Sequence, residues 1–165
     1  MRRRLAILGS AVFLAPGMVA GVVPFWLTRW RFQPPLLEAR VLRVLGAALM
    51  VFGAAIVLDS FRRFAWQGMG TPAPLLPTSH LVVTGLYRNP MYVGVAAAIL
   101  GQGLLFGDND TLAYGVLVWV ALHLFVFFYE EPTLRHMFGE EYETFCRNVP
   151  RWIPHLHPWQ ERNSS

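Results

Sequence analysis

Arg88-Asn89-Pro90 closes a polar, turn-forming stretch that begins at His80 and runs straight into an apolar helix predicted to start near Met91. Asn89 is a good N-cap residue and Pro90 suits the first helical position. A helix start of this kind leaves N–H groups unpaired and carries a partial positive charge, which suits a carboxylate or phosphate. Tyr87 and Tyr92 flank it; their rings serve either as interfacial belt residues or as surfaces for an adenine or a cation. Further along, Glu130 and Glu131 end an otherwise chargeless apolar run. Adjacent helical positions point about 100° apart, so one carboxylate is expected to face the interior and the other water. An inward carboxylate at lipid level needs a cation, which means Arg88, Arg135 or a ligand.

The elements that must bring these groups together read as membrane helices. Of the 165 residues, 55% are hydrophobic and 15% charged, against about 25% charged in an average soluble domain. The spacing predicts an all-α integral membrane bundle of about four transmembrane helices plus a C-terminal amphipathic helix, one membrane domain over 1–165. Residues 1–58 supply two spans, Leu5 to Thr28 (bent at Pro16 and Pro24) and Val41 to Leu58. Residues 59–165 supply a long connection, a hairpin of spans Met91 to Phe106 and Leu112 to Tyr129, and the tail. Gly46 and Gly53, seven apart, and Gly94, Gly101 and Gly103 allow close helix approach. Gly107-Asp108-Asn109-Asp110 is a tight turn. Leu134, Phe138, Tyr142 and Phe145 form the apolar stripe of the tail helix, with a bend expected at Gly139. Arginine placement puts the N-terminus, the long connection and the tail on the cytoplasmic side of a bacterial inner membrane, leaving Arg29, Arg31, Arg40 and Arg43 outside.

The formal charge is +4, yet every basic residue is arginine and no dense basic run interleaves with aromatics, so nucleic acid is not an expected partner. Cys146 is the only cysteine, which excludes an intrachain disulfide and a cysteine metal cluster. His80, His123 and His136 make no i, i+4 pair within one helix, so no metal is expected. Phosphate-loop, nucleophile-elbow and dinucleotide-fold signatures are absent from the sequence. Two classes stay open on the residues alone: an enzyme using the 80–94 and 130–131 groups, or a non-enzymatic bundle or a haem- or quinone-binding subunit using His123.

His80 through Gly94, with Glu130-Glu131-Pro132-Thr133-Leu134, Phe138-Gly139-Glu140-Glu141-Tyr142, Val149-Pro150-Arg151 and Ile153-Pro154, resembles the isoprenylcysteine carboxyl methyltransferases and the related phospholipid methyltransferases. The resemblance covers residues 68 to 154. It implies a membrane enzyme that binds S-adenosylmethionine and methylates a lipophilic or lipid-linked acceptor drawn from the membrane lipid. The alternative within the enzymes is a phospholipid or amine N-methyltransferase. Carried over by position, the cofactor contacts implied are His80, Leu81, Val82, Tyr87, Asn89, Pro90, Met91, Tyr92 and Glu130, with Arg88 and Glu130 in catalytic roles. The chain departs from the family pattern in having Asn89 in place of a histidine and Val126 in place of a substrate-contacting arginine. The connection is also about three residues shorter between Tyr87 and Arg88 than in the eukaryotic enzymes.

Overall fold

The computed structural model describes residues 16–34, 40–66 and 88–152. The expected contacts His80, Leu81, Val82 and Tyr87 lie outside these residues. Every regular element within them is helical. A π-helical turn, Met18–Val22, leads into α1 (Val23–Thr28). Next come α2 (Arg40–Trp66), α3 (Pro90–Phe106) and α4 (Asn109–Phe125). A second π turn, Val126–Glu130, joins α4 to α5 (Glu131–Phe138), and α6 (Glu140–Asn148) follows.

Two helical stretches are long and apolar enough to cross a membrane: Arg40–Arg62, of 23 residues, and Asn109–Phe138, of 30. Met18–Thr28 and Pro90–Phe106 are apolar but shorter, so four full-length spans are not what the described helices provide. Val44, Leu45, Val51 and Phe52 of α2 and Val116, Leu117 and Phe128 further on are exposed. Apolar surface on that scale suits lipid better than water.

The α2–α3 contact is built backbone against backbone. A Cβ placed on Gly53 would lie 2.5 Å from the Ala98 nitrogen and 2.6 Å from the Gly94 oxygen. One on Gly101 would lie 2.5 Å from the Met50 nitrogen and 2.7 Å from the Gly46 oxygen. Early α2 thus meets late α3, and the helices run antiparallel along the glycine seam that the seven-residue spacing predicts. Ile99 of α3, on the side that meets Gly115 of α4, is fully buried.

The α3–α4 hairpin turns on Gly107, whose φ of 73° is left-handed and therefore natural for glycine. Asp108 caps α4 by accepting from the Thr111 N–H at 2.7 Å. Its other oxygen accepts from Gln33 Nε2 at 2.9 Å, while the Gln33 N–H donates to the Phe106 carbonyl at 2.9 Å. The chain leaving α1 therefore clamps the hairpin turn.

Both π turns stand just ahead of a proline, Pro24 in one case and Pro132 in the other. Proline has no N–H and its ring crowds the carbonyl four residues back, so a regular ladder cannot pass through it. An extra residue in the preceding turn is one way to relieve that conflict. In the first case the nearby carbonyls find donors on other helices: Gln102 Nε2 donates to the Ala20 oxygen at 2.6 Å and Tyr114 Oη to the Val19 oxygen at 3.1 Å. The bend expected at Pro24 is thus a π turn with its freed carbonyls satisfied by neighbours.

The tail departs from a continuous amphipathic helix. Gly139, at φ 53°, breaks it into α5 and α6. The predicted stripe survives the break, since Tyr142, Phe145 and Val149 form a buried cluster with Leu134, Phe138 and Cys146 against them.

Candidate active site

Asn89 and Pro90 occupy the N-cap and first positions of α3, as their residue types dictate. The Asn89 side chain does not cap the helix, however. It is buried and donates through Nδ2 to the Arg151 carbonyl at 3.3 Å. The first intrahelical bond at this end runs from the Val93 N–H to the Asn89 carbonyl. By position, the N–H groups of Met91 and Tyr92 precede that ladder, so the helix itself supplies them no carbonyl.

The π turn changes how the two glutamates present themselves. Its extra residue shifts the helix phase, and the Glu131 N–H reaches back to the Val126 carbonyl. As a result both carboxylates meet the start of α3, and neither points freely to water as one of them was expected to. Glu130 Oε2 accepts from Tyr92 Oη at 2.7 Å. Glu131, 4% exposed, accepts from Arg88 Nη1 at 3.2 Å. Arg88, the expected partner of an inward carboxylate, fills that role toward Glu131. Arg135 pairs instead with Glu143 at the surface.

Arg151 was not anticipated as a site residue. Its Nε and Nη2 grip Glu131 Oε1 and Oε2 at 2.6 and 2.9 Å, a two-pronged charge-assisted pair. Arg88 Nη1 also approaches Cys146 Sγ at 2.9 Å, and the Arg88 N–H donates to the Pro150 carbonyl at 3.0 Å. Burial pushes the Tyr142 phenol above its ordinary range, and the adjacent Cys146 thiol adds to the rise, so this side chain stays a neutral hydroxyl beside the cluster. Trp152 lies against Trp119 and His123, with ring centroids 4.6 and 5.6 Å apart. Half-buried His123 thus packs on an aromatic neighbour. Spacing did not reveal Arg151 or Trp152 because they follow a helix end, where no periodicity reports on packing.

Glu130 differs from Glu131 in one respect that matters for chemistry. Among the described residues its partner is the neutral Tyr92 hydroxyl, with no arginine on it. A half-buried carboxyl without a cation beside it is a place for a ligand's positive charge. Arg88 complements it, because its Nε is buried and has no partner among the described residues. A carboxyl and a guanidinium disposed in this way have the charges that complement a zwitterionic group. Val126, four positions before Glu130, is apolar and 1% exposed.

An α-helical bundle with lipid-suited outer faces and a cluster of opposed charges at the start of α3 defines a class: a membrane-type helical protein with a charged interior cluster. The chain belongs to the phospholipid methyltransferase family, whose sequence model matches residues 41–141. It is similar to the protein-S-isoprenylcysteine O-methyltransferase of Schizosaccharomyces pombe, 36% identical over 80 residues, which are 46% of this chain and 34% of that protein. The match thus spans about a third of that relative's length. No solved structure matches the chain.

Proposed function

We propose that the protein is a membrane methyltransferase that binds S-adenosylmethionine and methylates a lipophilic acceptor. The observation that carries this reading is the meeting of Arg88 and Tyr92, at the start of α3, with Glu131 and Glu130 at the end of the long helix. The family and the similarity to an isoprenylcysteine O-methyltransferase support it. When bound, S-adenosylmethionine supplies a methyl group activated by its attachment to positive sulfur. Glu130 holds the ammonium or a ribose hydroxyl. Arg88 and the N–H groups of Met91 and Tyr92 hold the carboxylate. Tyr92 fixes the Glu130 rotamer by its hydrogen bond and lines the pocket. A carboxylate, thiolate or amine acceptor is already nucleophilic, so placement does most of the work, and placement alone is worth several orders of magnitude in rate.

The acceptor arrives from the bilayer, since the exposed faces of α2 and of the 109–138 helix leave the bundle open to lipid. In this reading all four apolar segments are embedded, Met18–Thr28 and Pro90–Phe106 as the shorter ones, and the site faces the cytoplasm. Buried, apolar Val126 favours a phospholipid or amine acceptor over a prenylcysteine carboxylate, because it offers no donor where the resemblance puts an arginine. Incorporation of labelled methyl groups into a total lipid extract, compared with a prenylcysteine substrate, separates the two.

Binding of labelled S-adenosylmethionine to the detergent-solubilised chain tests the proposal. The wild type is expected to bind, and Glu130→Gln to lose at least about tenfold in affinity, the worth of one charged hydrogen bond. Unchanged affinity in Glu130→Gln would remove that residue from the site. No binding by the wild type would remove the cofactor.

A further inference from the structure

The buried carboxylate of Glu131 is divided unequally between two arginines. Arg151 takes both oxygens, at 2.6 and 2.9 Å. Arg88 makes one longer contact, at 3.2 Å, and keeps a buried Nε without a partner among the described residues. Two guanidiniums around one carboxylate leave one positive charge in excess, and the geometry leaves that excess on Arg88. With Arg151 gone, a buried glutamate would face Arg88 alone, and an unsatisfied carboxylate there is costly enough to capture it.

We infer that Arg151 is a positioning residue for the methyl-donor site: by saturating Glu131 it keeps Arg88 from closing onto that carboxylate and leaves its donors to the carboxylate of the ligand. The inference rests on the cofactor reading above. The segment carrying Arg151 is fastened where this role requires. Its carbonyl accepts from Asn89 Nδ2, the carbonyl of Pro150 accepts from the Arg88 N–H, its guanidinium lies 5.7 Å from the Phe127 ring centroid, and Trp152 packs on Trp119. The three hydrogen-bonding groups of this charge cluster thus come from the start of α3, the start of α5 and the chain leaving α6. The excess charge on Arg88 and the carboxyl of Glu130, which meets no cation among the described residues, match the two ends of a zwitterionic amino acid.

The test titrates the detergent-solubilised full chain with S-adenosylmethionine and with its decarboxylated analogue, which lacks only the group assigned to Arg88. The wild type is expected to prefer the parent compound by about tenfold, the worth of one charge-assisted hydrogen bond. Arg151→Met should abolish the preference by weakening the parent compound and leaving the analogue nearly untouched. Adding Glu131→Gln to Arg151→Met removes the charge that captures Arg88 and should restore the preference. A preference retained in Arg151→Met overturns the inference, whether or not methyl transfer suffers. So does equal weakening of both ligands without recovery in the double variant, which would make Arg151 a mere tether for the tail. If the wild type binds neither compound, the cofactor reading itself falls and takes this inference with it.

Discussion

Glu130 and Glu131 are neighbours in sequence, yet their partners set them apart. Glu131 is enclosed by two guanidiniums, and Glu130 touches only a phenol among the described residues. The first is architectural in consequence, because truncating it strands Arg88 and Arg151 in a partly buried setting. Glu131→Ala is expected to destabilise the fold by about 3 kcal/mol, the usual cost of breaking a buried pair, and denaturant unfolding in detergent measures it. Glu130→Gln should leave that stability unchanged while weakening the cofactor, so the two substitutions separate by assay. The sequence pointed to Arg88, Tyr92 and the glutamates through capping signals and the cost of charge at lipid level. It could not say which glutamate takes which partner, because that depends on helix phase. Arg151 was hidden for another reason: its role is a long-range contact with Glu131, and no local pattern encodes one.

Helix phase is set one level up, by the π turn ahead of Pro132. With proline replaced, the ladder can close regularly, and one residue fewer per turn rotates Glu130 by about 100° from Tyr92. Pro132→Ala should therefore weaken S-adenosylmethionine binding while the thermal midpoint stays about level, because relief of the proline is offset by displacement of the Glu131 ion pairs. A loss of both together would point to simple unfolding. The glycine seam is the second device at this scale. Gly53→Val places a side chain where a Cβ already meets backbone at 2.5 Å. It should cost roughly 1–3 kcal/mol or more by overpacking, again read by denaturant unfolding. The seam was legible in the seven-residue spacing of Gly46 and Gly53, as were the hairpin turn and the stripe that Gly139 interrupts. The π turns were not. Proline announces a disturbance, but whether the helix kinks, ends or widens depends on which neighbours can satisfy the freed carbonyls.

For the molecule as a whole, the proposed embedding makes an orientation testable. Asn148 and Asp110 are both exposed, one at the end of α6 near the charge cluster and the other in the first turn of α4. Because Cys146 is the only native cysteine, a Cys146→Ser background allows Asn148→Cys and Asp110→Cys to be labelled separately in intact bacterial cells. An impermeant thiol reagent should reach position 110 from outside and position 148 only after permeabilisation. Labelling of both from the same side would discard the proposed topology. The bent N-terminal segment has a consequence for how the protein is built. Its Val19 and Ala20 carbonyls are satisfied by Tyr114 and Gln102, which belong to the hairpin helices. Surrounded by hydrocarbon alone, those oxygens would lack donors, so this segment reaches its final shape only once its hosts have arrived. Folding here then runs against the order of synthesis: this segment is made before the hairpin and seated after it.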